Sequence, residues 1–316
     1  VGDAVCRAGG VAASPEALAY LEKRGIRNAE AIERFKLGYA NRTLGLRLPI
    51  KAIKDGERIR ARLAALGVMR GSGHEHLAGS LVIPIISPAG EVLGMYGRKI
   101  VENLRAGTPK HLYLPGPHRG VWNEQALAES KEVILCEALI DALTFWCAGF
   151  RNVTTSWGVN GFTDDHAAAL KKYGTRRILI AYARDEAGEK AAEALAPKLI
   201  DLGLEVFRIE FPRGMDANDF SLKVTPAAKS LDLAIRKALW MGRGAAPAVE
   251  TATAAAKEEK PEPCVPPEEV VSGLPPPPPC EVSSLAAVVL PAVPEQPPWL
   301  SEGLSCEVEV KDDEAN

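Results

Sequence analysis

Acidic residues follow three strand-like runs of the chain, at the points where each run ends. They are Glu137 and Asp141 after the first run, Asp185 after the second, and Asp216 and Asp219 after the third. Because ligands of open α/β sheets bind at the carboxyl edge of the strands, we expect these side chains to lie close together. Carboxylate oxygens are hard ligands that suit Mg²⁺. The sequence therefore predicts a metal and phosphate site at this edge.

A single acid at such a place has a simpler explanation. At the start of a helix a carboxylate interacts favourably with the helix dipole, by about 0.3–1 kcal/mol. That explanation would suffice for any one of these acids. Their repetition after three separate runs favours a shared site instead.

The elements that must position the acids alternate between strand and helix patterns from residue 131 onward. Apolar runs at 133–136, 153–156 and 177–182 are each followed by a helical pattern, and the run LEVFRIEF leads to a third acidic loop. This order predicts a mainly parallel sheet flanked by helices. The last folded element is predicted to be a helix over 226–241.

The N-terminal part is predicted to be a smaller α+β unit. Ser14-Pro15-Glu16 predicts the start of the first of two short amphipathic helices joined at Gly25. Residues 80–100 alternate around a Pro-Ala-Gly turn and predict a β-hairpin ending in Gly97-Arg98-Lys99. His74-Glu75-His76 is expected to be a polar surface loop, because no third metal ligand is spaced to complete a site.

The acidic pattern resembles the Toprim domain, the metal-binding module shared by bacterial primases, topoisomerases and some nucleases. That family has a Glu after its first strand, an Asp-x-Asp followed by Ala-Gly, and a further acidic loop. Glu137, Asp185 with the Ala187-Gly188 pair, and the loop FPRGMDANDF match. The resemblance implies that Glu137 and Asp185 are catalytic, and that Mg²⁺ or Mn²⁺ is bound by the acids Glu137, Asp141, Asp185, Asp216 and Asp219.

One position departs from the family. Its Asp-x-Asp reads Ala183-Arg184-Asp185 here, so the first carboxylate is absent. One ligand fewer should weaken Mg²⁺ binding and puts metal-dependent activity in doubt.

The N-terminal half resembles the catalytic core of DnaG-type bacterial primases. The shared sequence motifs are a Tyr-Leu-x-x-Arg-Gly helix, a Phe-x-Leu-Gly-Tyr-Ala turn, a hairpin ending in Gly-Arg, and a following Pro-Lys. The last two place Arg98 and Lys110 at positions that the family uses to hold nucleotide phosphates or template. Arg suits phosphate as a bidentate donor and Lys as a point charge. Without the resemblance, both would be read as solvated charges beside a turn.

These resemblances imply a primase that joins ribonucleoside triphosphates into RNA primers on single-stranded DNA, in the cytoplasm, with a replicative helicase as a possible partner. They suggest a mobile-element relative without the zinc ribbon or a helicase-binding domain, and Val1 at the start suggests a fragment. Two alternatives stay open: a catalytically weakened single-strand-binding accessory protein, and a Toprim nuclease. Residues 80–117, which do not resemble nucleases, favour the primase.

Composition divides the chain unevenly. Residues 245–316 carry 14 Asp/Glu against three Lys/Arg and 14 of the 24 prolines, which predicts a disordered acidic tail. The remainder is basic, as suits a polyanionic partner. The six cysteines form no Cys-x-x-Cys pair, which fits reduced thiols, and no stretch is long and apolar enough for a membrane span. We therefore predict a subdomain at 1–130, a Toprim domain at 131–243 and a tail at 244–316.

Overall fold

The computed structural model describes residue 11, residues 14–101 and residues 103–247. The predicted acidic tail lies almost wholly outside these described residues. None of the helices within them is long and apolar enough to cross a lipid bilayer. Cys136 and Cys147, the two cysteines in this range, are both free thiols.

The N-terminal part is built on a four-stranded antiparallel sheet in the order β1-β2-β3-β4. The hairpin predicted over 80–100 is confirmed as β2 and β3, which pair from Ser80 opposite Lys99 to Ile86 opposite Val92. The elements are α1 (Pro15–Lys23), α2 (Ala29–Arg34), β1 (Gly38–Tyr39), α3 (Leu44–Arg47), α4 (Lys54–Ala65), β2 (Ser80–Ile86), β3 (Val92–Lys99), β4 (His111–Tyr113) and α5 (Gln125–Glu129).

A second sheet of five strands follows, in the order β6-β5-β7-β8-β9. Its first four strands are parallel, and β9 runs antiparallel to β8. The elements are β5 (Glu132–Cys136), α6 (Leu139–Cys147), β6 (Val153–Thr155), α7 (Asp164–Tyr173), β7 (Arg177–Ala181), α8 (Glu186–Asp201), β8 (Glu205–Arg208), α9 (Ala217–Lys223), α10 (Ala227–Arg236) and β9 (Leu239–Trp240).

The prediction of a helix over 226–241 was wrong at its C-terminal end. Helix α10 stops at Arg236, and Leu239–Trp240 form β9 instead. Trp240 lies opposite Phe207 in the register, with ring centroids 5.1 Å apart. The free edge of β8 supplies backbone partners and an aromatic contact that a helix over these residues would forgo.

One hydrophobic cluster joins both sheets. It contains Ile83 and Tyr96 of the antiparallel sheet together with Ile134 of β5 and Phe145 of α6, all at most 1% exposed. A second cluster, with Leu135 at its centre, fills the space under α7 and α8. Both faces of the parallel sheet are therefore covered, which explains why β5 and β7 are continuous apolar runs.

Candidate active site

Glu137 directly follows the buried strand β5 and is half-buried. The amide of Gly158, in the loop after β6, donates to the Glu137 backbone carbonyl at 3.2 Å and fixes the strand end. The Oε2 atom is buried and has no hydrogen-bond partner. Burial raises the pKa of the Glu137 carboxyl, and the charges of Asp185 and Asp216 raise it further. An unpaired, desolvated carboxylate oxygen of this kind favours a cation.

Asp141 lies on α6, facing the same edge, and is 4% exposed. It accepts a hydrogen bond at 3.1 Å from the backbone amide of Asn218, at the start of α9. Burial raises the pKa of Asp141 well above its ordinary value, and the neighbouring charge of Asp216 raises it again. Asp141 thus ties α6 to the third acidic loop, and its burial favours the uncharged carboxyl unless a cation lies close by.

Asp185 and Asp216 are helix N-caps. Asp185 accepts from the Gly188 amide at 2.8 Å, and Asp216 accepts from the Asp219 amide at 2.7 Å. The simple helix-start explanation therefore holds for both, yet both also face Glu137 closely enough to raise its pKa. Asp219 lies at the margin, 3.6 Å from the Arg24 guanidinium.

The loop that carries Ala183 packs tightly against the start of α8. A Cβ atom on Gly188 would lie 2.2 Å from the Ala183 carbonyl oxygen, so only glycine fits. The Arg184 backbone exchanges hydrogen bonds with the third acidic loop, donating to Met215 at 2.9 Å and accepting from Gly214 at 2.8 Å. The second and third acidic loops therefore form one unit.

Arg208, at the end of β8, holds this unit from inside the protein and is 4% exposed. Its Nη1 donates to the carbonyls of Ile180, Tyr182 and Ile209 at 2.9–3.1 Å. Its Nη2 donates to the Ala183 carbonyl at 3.1 Å. Sequence reasoning missed Arg208, because one arginine in an apolar run reads as a solvated charge. Burial lowers the pKa of its guanidinium, and nearby carboxylates partly compensate.

Arg98 reaches the acidic edge from β3. Its positive charge lowers the pKa of Asp216, against the larger effect of burial. The guanidinium donates to Nε2 of His111, whose Nδ1 pairs with the Tyr96 hydroxyl at 2.8 Å. This arrangement requires a neutral imidazole. Burial, Arg98 and Lys110 together lower the pKa of His111 to about 4, which keeps it neutral.

Lys110 is exposed and immediately precedes β4. Its carbonyl accepts from the Lys99 amide at 2.9 Å, which fixes the backbone beside Arg98. The exposed Lys110 side chain thus lies beside the backbone that carries Arg98 and can reach an incoming ligand.

Aromatic residues line the same edge, and sequence reasoning assigned them no role. Burial and the charge of Glu137 raise the pKa of Tyr113 to about 12. The His118 ring stacks on Trp157 with centroids 4.7 Å apart and planes 8° apart, and Tyr113 lies 4.6 Å from His118. His118 lies in a Pro-rich loop and Trp157 begins a glycine-rich turn, so no hydrophobic periodicity in the sequence predicted this cluster.

In the described parts of the chain, no three His, Cys, Asp or Glu side chains are grouped closely enough to hold a metal ion. The donor chemistry nevertheless suits Mg²⁺, which keeps several waters and commonly takes one or two carboxylates plus substrate phosphates. Glu137, with its unpaired oxygen, and the exposed Asp185 fit that requirement.

Comparison with known proteins gives two family matches. Residues 11–125 match the N-terminal domain of the DNA primase catalytic core, and residues 134–221 match a Toprim-like domain. The DNA primase of Aquifex aeolicus is 32% identical over 219 residues, which are 65% of this chain and 42% of that protein. The chain therefore spans less than half of that relative's length.

Solved structures give the same result. The A. aeolicus primase, with its zinc-binding and RNA polymerase domains, is 28% identical with a TM-score of 0.62, covering 75% of this chain and 59% of that one. A DnaG primase catalytic domain bound to ssDNA is 23% identical with a TM-score of 0.59, covering 75% and 80%. This second likeness shows the fold alone.

Proposed function

This chain belongs to the DnaG-type primases, with a catalytic core that includes a Toprim domain, and we propose that it synthesises short RNA primers on single-stranded DNA. The observation that carries the proposal is the buried Oε2 atom of Glu137, which has no hydrogen-bond partner and lies at a sheet edge where the charges of Asp185 and Asp216 also act on its carboxyl. A cation and several carboxylates at one edge suit nucleotidyl transfer, in which phosphates and metal must be held together.

Each residue has a distinct task in this proposal. Glu137 and Asp185 are the catalytic metal ligands, because one has an unpaired buried oxygen and the other is exposed at the same edge. Asp141, Asp216 and Asp219 supply further oxygen ligands, and a bound cation would favour the charged form of these carboxylates. When bound, Mg²⁺ or Mn²⁺ would activate the primer 3′-hydroxyl and neutralise the leaving pyrophosphate.

Arg98 and Lys110 hold phosphate. Arg98 is kept in place by His111 and presents a planar fork that matches two phosphate oxygens. Lys110 is exposed and acts as a movable point charge. The match of residues 11–125 to the DNA primase catalytic core supports single-stranded DNA as the template and ribonucleoside triphosphates as the substrates.

A second candidate function is single-strand binding without catalysis. Ala183 in place of the family's first Asp favours it, and so do the N-cap hydrogen bonds that occupy Asp185 and Asp216. The match of residues 11–125 to the primase core N-terminal domain supports a primase over a Toprim nuclease.

Three further proposals concern the cellular compartment, the origin and a partner of the protein. The free thiols of Cys136 and Cys147 support a reducing cytoplasm. A mobile-element relative is a proposal that comes from the sequence resemblances alone. The Pro-rich segment 245–316 offers a docking sequence for a partner such as a replicative helicase.

The test is a priming assay on single-stranded DNA with labelled ribonucleotides and Mg²⁺ or Mn²⁺, comparing the full chain with Glu137→Gln. Primase activity requires template-dependent products from the first protein and none from the second. DNA binding without products in either metal supports the accessory function, and products that persist in Glu137→Gln contradict the proposed metal site.

A further inference from the structure

A pocket of about 440 Å³ opens on the antiparallel sheet, and its lining includes Arg42, Arg70 and Lys99. Arg98 and Lys99 are neighbours on β3, and successive side chains of a strand point to opposite faces. The pocket therefore lies across the sheet from the acidic edge that Arg98 faces. It is a separate site.

Three cations outnumber the one carboxylate in the lining of this pocket, so its net charge is positive. Within the described ranges, no carboxylate forms an ion pair with Arg42, Arg70 or Lys99. Glu75 lines the pocket, but its Oε1 accepts the Leu44 amide at 2.8 Å. Burial lowers the pKa of Lys99, and the charges of Arg42 and Arg70 lower it further. The three cations are close enough to repel one another, so an anion between them would be stabilised.

Hydrogen bonds fix the backbone that carries these cations. Arg42 has a φ of 68°, an uncommon value for a residue other than glycine, and the Asn41 side chain secures this turn by accepting from the Thr43 amide at 3.1 Å. The Lys99 ammonium donates to the Ala78 carbonyl. The Arg70 amide donates to the His74 carbonyl at 2.8 Å and closes its own loop.

His74-Glu75-His76, the triplet noted in the sequence, lines the same pocket. It is not arranged for a metal, since Glu75 serves the Leu44 amide and His76 Nε2 lies 2.9 Å from the Tyr113 carbonyl. His74 is exposed and can donate a hydrogen bond to an anion.

We propose that this pocket binds the phosphate chain of a small ligand, of the class of nucleoside di- and triphosphates. Three converging cations match the charge of two or three linked phosphates, and guanidinium and ammonium groups are the side chains that bind phosphate best. A pocket of about 440 Å³ suits a compact ligand rather than an extended strand. Leu112 and Pro109 in the lining give an apolar surface beside the charges.

The experiment titrates inorganic tripolyphosphate into the full chain by calorimetry, with EDTA present so that the acidic edge cannot bind phosphate through a metal. Lys99→Gln and Arg70→Gln should each weaken binding about tenfold, as expected for the loss of one charge-assisted contact. Arg62→Gln, an exposed position on α4, removes the same charge away from the pocket and should leave the affinity unchanged.

Equal affinity in all variants, or the same loss in Arg62→Gln, overturns the proposal. Binding of unphosphorylated oligo-dT without binding of tripolyphosphate also overturns it, since the pocket would then belong to a DNA-binding surface. Arg70 donates no side-chain hydrogen bond within the described residues, so Arg70→Gln keeps the test valid if Lys99→Gln does not fold.

Discussion

Replacing Arg208 by methionine should both destabilise the protein and disable the acidic edge. The substitution removes four donated hydrogen bonds, to the carbonyls of Ile180, Tyr182, Ala183 and Ile209, and the Ile180 carbonyl still accepts from the Ile209 amide at 2.9 Å. A buried polar group left unpaired costs about 1–3 kcal/mol. Methionine also relieves the burial of a charge, which offsets part of that cost. The net loss should be about 3–5 kcal/mol, which lowers the melting temperature by roughly 10 °C.

Arg177→Met is the matched control, because Arg177 lies on the neighbouring strand β7 at the opposite edge of the sheet. Its guanidinium bridges Glu205 at 2.7 Å and Glu132 at 3.3 Å. These partly exposed pairs contribute about 1 kcal/mol, so the variant should lose little stability and prime normally.

The assays are thermal melting and priming, both at a temperature where the two variants are folded. Arg208→Met should be inactive and Arg177→Met active. If Arg208→Met keeps wild-type priming while folded, Arg208 does not position the Ala183 loop and the reasoning is wrong. If it melts like the wild type, the four hydrogen bonds do not carry the stability assigned to them.

Three further outcomes are expected. Arg98→Ala and Lys110→Ala should weaken nucleotide or DNA binding with little change in melting temperature. A large fall in melting temperature with normal binding would show that both residues have a structural role instead. Deleting 245–316 should tighten single-stranded DNA binding at low salt, since this segment carries 14 acids against three bases; unchanged affinity would show that it does not compete with DNA. The pKa of His111, about 4, lies below the ordinary value for histidine, so its contribution to stability is complete above about pH 6.5 and is lost as pH falls towards 4. The free energy of unfolding, measured by urea denaturation, should therefore fall less over this pH range in His111→Gln than in the wild type.

The positions of the acids could be predicted because they depend on local patterns. An apolar run followed by a helical pattern placed Glu137 after β5 and Asp185 after β7, and parallel pairing of those strands brings their ends together. The capping roles of Asp185 and Asp216 follow equally from sequence, since each begins a helix.

Features that depend on contacts between distant elements could not be predicted. Strand β9 forms because the edge of β8 is free, and nothing local to Leu239 and Trp240 indicates this. The role of Arg208 requires four carbonyls to converge on one buried side chain. The pocket around Arg42 and Lys99 joins loops that are far apart in sequence.

Priming by Ala183→Asp as a function of Mg²⁺ concentration tests most directly whether this edge is a metal site with one ligand fewer. The Ala183 amide already lowers the pKa of Glu137, so an aspartate side chain there would stand beside the carboxylate with the unpaired oxygen. Without metal, the added charge should lower the melting temperature by like-charge repulsion. With Mg²⁺ that loss should reverse, the half-saturating Mg²⁺ concentration should fall and the rate should rise. A substitution that is equally destabilising with and without Mg²⁺, and that leaves the Mg²⁺ dependence of priming unchanged, would contradict the metal site at Glu137 and Asp185.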